Sequence, residues 1–305
     1  MSSETLTEAR GANNSEKVLL GADRQRIAIM LSFQFDCSSQ AGSLSKNSFL
    51  LIKWYLDCVA ENGDTVVLYA ADLRWNSLSL GYANLLTAIN GSITSAFSLH
   101  GITEPTISGL ALTIKQPKLR VEGSWHALRN PIRRTVFQNP QGDIDWHCVQ
   151  PMSQVELQSC GNRMSGLGYA ECLTVSLLPW QLPLTQLNWG RYLSREDALV
   201  WIDWQGPEPQ RHVIHNGEEC QVTSVTESEL VFAVGAGSLE LDRGLTLRSG
   251  RLGGTIFPGI SRLAGLVPPS MLAVEECKWR SRGILRNAAS ENSGWAIHEV
   301  VKWRE

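Results

Sequence analysis

Apolar and polar positions alternate with a period of two along most of the chain, and turn residues interrupt them about every eight to twelve positions, the pattern of short strands in a barrel or sandwich. Phe49–Ala60 and Thr65–Trp75 are apolar, β-branched and aromatic runs separated by Glu61-Asn62-Gly63-Asp64. Asn-Gly between alternating runs signals a two-residue hairpin turn, because both central residues need positive φ. That register sets Asp57 opposite Leu68, Tyr55 opposite Ala70 and Lys53 opposite Asp72. Asn216-Gly217 predicts a second hairpin joining Arg211–His215 to Glu218–Val222, and Thr135–Gln138 with Ile144–Val149 a third. Further strands are expected at Gly109–Ile114, Lys118–Trp125, Gln154–Gln158, Gly168–Leu177, Gln186–Leu193, Ala198–Gln205, Leu230–Val234, Leu272–Arg280 and Trp295–Trp303. Only Tyr82–Ile89 and Arg262–Leu266 read as helical turns.

More than a dozen strands exceed what one twisted open sheet usually holds. The fold class is therefore all-β, with two antiparallel barrel or sandwich domains packed together. Pro179 and Pro183 interrupt strand pairing near the middle, which divides the chain into an N-terminal extension at 1–46, a first β domain at 47–185 and a second at 186–305. The Ser-, Glu- and Asn-rich opening has little to bury and reads as partly disordered. Gly250–Ser270 is apolar but rich in Gly and Pro, and reads either as a connector packed outside a barrel or as a lid over a cavity mouth.

Charge changes the picture by exclusion. Lys and Arg number 27 against 30 Asp and Glu, for a net charge of −3, which gives no basic excess of the kind a nucleic-acid partner requires. No run of eighteen apolar residues is present to form a transmembrane helix. The seven cysteines show no Cys-x-x-Cys and no His at zinc-ligand spacing, so no metal site is expected, and scattered thiols point to a reducing, cytoplasmic setting. There is no nucleophile elbow, Walker loop or His-Glu-x-x-His.

Candidate chemistry lies among the aromatics. Trp (11) outnumbers Phe (7) and Tyr (5), and many tryptophans sit in strands beside ionisable groups. Residues i and i+2 share a strand face, so Tyr55 points with Asp57, Trp201 with Asp203, Tyr169 with Glu171, and Asp145 with His147. These polar groups are either the solvated faces of two-faced strands or the lining of an aromatic-walled interior that orients an apolar ligand. Glu171 is the leading candidate, since its strand is apolar on both faces. Burial there raises a carboxyl pKa, which suits a general acid. The competing reading for Glu171 is an ion pair with Arg191.

Lys53-Trp54-Tyr55-Leu56-Asp57, Gly166-Leu167-Gly168-Tyr169-Ala170-Glu171, Leu187-Asn188-Trp189-Gly190-Arg191 and the closing Ala296–Trp303 stretch together resemble the hydroxyneurosporene synthase (carotenoid 1,2-hydratase) and AttH-like group, to which tocopherol cyclases and lipocalin-like Diels–Alderases are similar in architecture. The resemblance implies paired lipocalin-like β domains with an apolar pocket in or between them. It also implies hydration, cyclisation or cycloaddition of polyene or prenyl substrates without metal or organic cofactor. On that reading Glu171 is the acid, Asp57 an alternate acid or water-positioning base, and Arg191 tunes the neighbouring carboxyl. Tyr55, Tyr169, Trp189, Trp201, Asp203 and His147 line the substrate site, with the aromatic faces stabilising developing positive charge. The partner is an apolar small molecule, whose uptake allows peripheral membrane contact. The sequence leaves the oligomeric state open. Two rival readings are a non-catalytic carrier of an apolar pigment or lipid, and a pericyclic isomerase that preorganises its substrate.

Overall fold

The computed structural model describes residues 49–233, 237–255, 267–288 and 290–303, so the expectations for the N-terminal extension and for most of Gly250–Ser270, including a helical turn at Arg262–Leu266, lie outside the described residues. Strands β1 (Phe49–Val59), β2 (Thr65–Trp75), β3 (Leu78–Ile89), β4 (Ser92–Ser98), β5 (Thr106–Ser108), β6 (Ala111–Gln116), β7 (Val121–Ala127), β8 (Ile132–Asn139), β9 (Gly142–Ser159) and β10 (Asn162–Val175) form one antiparallel sheet. A second comprises β11 (Gln186–Leu193), β12 (Ala198–Gln205), β13 (Gln210–His215), β14 (Glu218–Glu219), β15 (Val222–Val225), β16 (Glu229–Phe232), β17 (Ser238–Leu241), β18 (Leu245–Arg251), β19 (Glu275–Arg286) and β20 (Glu291–Lys302). No helix among the described residues is long and apolar enough to cross a membrane.

The strand order of the first sheet is β4-β3-β2-β1-β10-β9-β7-β6-β5, with β8 also on β9. The second repeats it as β14-β13-β12-β11-β20-β19-β17-β16-β15, with β18 on β19. The repetition extends to residues. A side chain at Gly166 would strike the Val59 carbonyl, and one at Gly294 would strike the Leu193 carbonyl. Counting from those contacts, Tyr55 opposite Glu171 in the first sheet corresponds to Trp189 opposite Glu299 in the second.

Strand alternation separates three large cores, beside a small cluster of Leu252, Val274 and Val301. One face of the first sheet curls around Trp54, Leu56, Cys58, Leu68, Trp125 and Ala170. One face of the second encloses Tyr192, Leu199, Trp201, Leu230 and Leu239. The opposite faces pack against each other, and Tyr55, Tyr69, Trp146 and Tyr169 of the first half meet Trp189, Val200, Ile202 and Ile297 of the second.

The Asn62-Gly63 hairpin pairs one residue away from the expected register. Gly63 N–H closes a turn onto the Ala60 carbonyl at 2.9 Å, and Gly63 alone of the two central residues has positive φ, at 87°. The left-handed glycine acts as a one-residue bulge. Asp57 therefore faces Val67, Lys53 faces Ala71 and Tyr55 faces Tyr69, which brings Tyr69 rather than Ala70 onto the face of Tyr55. Asn216-Gly217 does form the expected two-residue turn, with φ of 51° and 91°. Tyr82–Ile89 is not helical but part of β3. Ala83 and Leu85 fill the first core while Leu86 and Ala88 fill the shared one, so both faces are apolar and the period-two signal disappears.

The glycine of Trp189-Gly190-Arg191 serves packing, since a Cβ there would overlap the Trp201 indole. Gly190→Ala is expected to cost about 1–3 kcal/mol by overpacking, read from the midpoint of urea unfolding. An unchanged midpoint would remove this explanation of the motif.

Candidate active site

On β1 the side chains of Lys53, Tyr55 and Asp57 project in turn onto the face between the two halves, because alternate residues share a face. Trp54, Leu56 and Cys58 fill the first core on the other side. Glu171 reaches the same inter-domain face from β10, directly across the pair from Tyr55. The β9–β10 pairing is irregular at this point, with register shifts on both sides of Ala170 and Pro151 in the partner stretch. Pro cannot donate to a ladder and is accommodated at such a bulge, and bulges re-aim neighbouring side chains.

Both protein hydrogen bonds to Glu171 converge on one oxygen. Trp146 Nε1 donates to Oε2 at 2.5 Å and the Tyr169 hydroxyl donates to the same atom at 2.6 Å. Burial raises the Glu171 carboxyl above its ordinary value. The Tyr169 and Trp146 hydrogen bonds and the Lys53 charge oppose the shift without cancelling it. Burial also holds the Tyr169 phenol well above its ordinary value, so it remains a donor. With Oε2 accepting two N–H or O–H donors, the proton of the neutral acid resides on Oε1, which meets no donor among the described residues. Glu171 is only half-buried.

Arg191 does not pair with Glu171. Its Nε and NH2 donate to the two oxygens of Asp57 at 3.0 and 2.7 Å, and its NH1 donates to the Trp295 carbonyl at 2.7 Å. The Tyr55 hydroxyl adds a fourth bond, to Asp57 Oδ2, at 2.9 Å. Both charged side chains are 0% exposed. A carboxylate so fully engaged has no free oxygen for water, so Asp57 and Arg191 form a clamp between the halves rather than an alternate acid and a tuner of Glu171.

Sequence reasoning missed much of the constellation. Lys278 on β19 ion-pairs with Glu299, the counterpart of Glu171. Arg248 on β18 pairs with Glu276 at 2.6 Å and reaches the Tyr69 hydroxyl at 3.4 Å. Burial lowers the Lys53 ammonium despite the opposing charge of Glu299, and neighbouring Lys278 lowers it further. Burial works against the Lys278 ammonium too, but Glu299 outweighs it and holds the group above its ordinary value. Burial alone would raise Glu299, yet Lys278 and Lys53 bring it below the usual carboxylate range. Trp189 Nε1 and Glu276 Oε2 are buried without partners. The repeated Gly-x-x-x-x-Glu at Gly166–Glu171 and Gly294–Glu299 is the sequence signal that could have paired the two acids.

The aromatic faces expected to support a carbocation are already engaged by cations. Lys278 Nζ lies 5.0 Å from the Trp189 ring centre and 5.4 Å from that of Tyr55. Lys53 Nζ, the Arg248 guanidinium and Lys278 Nζ stand 5.2, 5.3 and 6.0 Å from that of Tyr69. Tyr55, Tyr169 and Trp189 do meet here, edge to face, with centroids 4.9–6.0 Å apart. Trp201, Asp203 and His147 do not. Trp201 belongs to the core of the second half. Asp203, which shares its face, bonds Asn188 and Arg211. His147 lies on the face of β9 opposite Trp146 and Cys148, which join the shared core.

Two clefts open away from Glu171. One of about 990 Å³ is lined by Thr103, Lys115, Glu122 and Arg163. The other, of about 1230 Å³, lies at the Ala60–Asp64 end of the inter-domain face and has Arg191, Arg195 and Glu291 in its lining. Both have mixed polar and apolar walls, and Glu171 lines neither of them. The inter-domain cluster is the candidate active site because Glu171, Lys53, Lys278 and Glu299 gather there with Tyr55, Tyr69 and Trp189. Among the described residues no group of three or more His, Cys, Asp or Glu is gathered for a metal ion.

Two antiparallel sheets joined back to back, with ionisable groups concentrated between them, define a two-domain, lipocalin-like architecture. Solved structures share it. Kievitone hydratase from Nectria haematococca superposes with a TM-score of 0.52 at 11% identity, over 83% of this chain and 88% of that one. CghA gives 0.54 at 11% identity, over 86% and 90%, and an AttH-like protein of Nitrosomonas europaea gives 0.53 at 8% identity, over 89% and 97%. Likeness at these identities is likeness of fold. No protein-family model matches the chain, and no curated relative does.

Proposed function

We propose that this chain is a hydratase or cyclase acting on an apolar, alkene-bearing small molecule of polyene or isoprenoid type, a carotenoid 1,2-hydratase-like chemistry carried out without metal or organic cofactor. The observation that carries the reading is Glu171: a carboxyl raised by burial, with Oε2 fixed by Trp146 and Tyr169 and Oε1 free of donors among the described residues. A positioned acid with a raised pKa is what proton delivery near neutral pH requires. Oε1–H gives its proton to one alkene carbon, and the other carbon takes the oxygen of water in hydration, or an internal nucleophile in cyclisation. The proton released by that nucleophile returns to Glu171 and restores the acid. The hydratase in the name of one structural neighbour supports this reaction class. A carrier or a pericyclic isomerase needs no such acid.

Product analysis in isotopically labelled water tests the proposal. Prenylated and polyene candidates incubated in water carrying heavy oxygen and deuterium should gain both labels on hydration, or deuterium alone on cyclisation. Unlabelled product, or bound but unaltered ligand, would replace the proposal with one of its two rivals.

A further inference from the structure

Of the four cations and four carboxylates between the halves, three of each are joined in ion pairs. Arg191 is matched by Asp57, Arg248 by Glu276 and Lys278 by Glu299, each within ion-pair distance. Lys53 is the exception, since no carboxylate and no hydrogen-bond acceptor among the described residues lies within reach of its Nζ, which stands over the Tyr69 ring. Glu171, the fourth acid, is tied through Oε2 to Trp146 and Tyr169 instead. The buried Trp189 N–H also lacks an acceptor. Lys53 is only half-buried, so its ammonium is open to a molecule from outside, and one anionic oxygen would give it the ion pair that the other three cations already have.

Resting on the reading of Glu171 above, we propose that the substrate carries one anionic oxygen, an enolate, phenolate or carboxylate on an otherwise apolar skeleton, and that Lys53 binds it beside Tyr69 while the alkene lies against Glu171. This substrate class also answers the occupied aromatic faces. With Lys278, Arg248 and Lys53 around the rings, a bare carbocation is repelled, whereas an anionic substrate brings its own compensating charge. Lys53 is in this sense a specificity-determining residue, and a pure hydrocarbon would leave it unpaired.

Two fluorescent probes of the same aromatic skeleton separate charge from apolar fit: anilinonaphthalene sulfonate, an anion, and phenylnaphthylamine, which is neutral. The wild-type chain should bind the sulfonate about tenfold or more tightly relative to the neutral amine, the scale of one charge-assisted contact. Lys53→Met should remove that preference and leave neutral-probe affinity within about twofold, while Lys53→Arg should retain it. A wild-type chain with no preference overturns the proposal, and so does a folded Lys53→Met variant that keeps it. If circular dichroism shows Lys53→Met unfolded, Lys53→Gln takes its place under the same criteria. The readout needs no turnover. Loss of the sulfonate preference on Lys53→Met, with turnover unaffected by Glu171→Gln, would sink the acid and spare the anion site. The reverse pattern would sink the anion site alone.

Discussion

Replacing Arg191 by Met is expected to lower the unfolding free energy by about 3–5 kcal/mol, because it strands a buried charge rather than merely losing an attraction. Asp57 would keep only the Tyr55 hydroxyl, and the Trp295 carbonyl would lose its donor. The pair joins β1 of one half to β11 of the other, so the loss falls on their docking. Guanidinium unfolding of the single variants and of the doubly apolar Asp57→Leu, Arg191→Met chain separates the two causes. The double variant should recover most of the loss, since it leaves no charge to desolvate. A double variant as unstable as the single would mean that shape, rather than charge, is what the pair supplies.

Glu171→Gln is expected to reduce turnover by about 10²–10⁴-fold, the usual contribution of a positioned general acid, while leaving ligand affinity unchanged. The amide oxygen can still accept from Trp146 and Tyr169, so the fold should persist. Stability offers an independent check. A carboxyl whose folded pKa is raised binds its proton more tightly in the native state, so its contribution is present at low pH and is lost as pH rises through the folded pKa. Glutamine escapes that loss, and the variant should melt at the same or a higher temperature than wild type at neutral pH. Tyr169→Phe makes a companion test. Removing a hydrogen bond that lowers the carboxyl pKa raises it further, and the alkaline limb of the activity profile should move to higher pH. A limb that stays in place, or moves toward acid, would detach Tyr169 from the acid's titration.

The parts of this site visible in the sequence are those that local alternation controls. Tyr55 with Asp57, and Tyr169 with Glu171, follow from strand parity, and the apolar flanks of Glu171 correctly foretell a raised carboxyl. Parity does not say which of two faces meets the other half. For that reason Trp201 and Asp203 were candidates although their strand turns them away, while Val200 and Ile202 face the shared core. Register depended on a single conformational detail, the left-handed Gly63, which moves Tyr69 onto the site. Lys278 and Glu276 sit in the expected strand Leu272–Arg280, where Glu275-Glu276-Cys277-Lys278-Trp279-Arg280 is largely charged, and they are covered only when the sheets dock. Long-range burial of that kind leaves no local periodicity to read.

The duplicated strand order has a consequence for the acid itself. Two identical copies related by a dyad would place equivalent glutamates at 171 and 299, each disfavouring ionisation of its twin, as the residual repulsion from Glu299 on Glu171 still does. Within a single chain the two positions need not match. The position across the strand pair from the acid holds Cys148 in one copy and Lys278 in the other. A thiol adds no charge beside Glu171, whereas the Lys278 ammonium pairs with Glu299 and lowers it, so the repeated strand order sets two carboxyls at equivalent positions in opposite electrostatic surroundings.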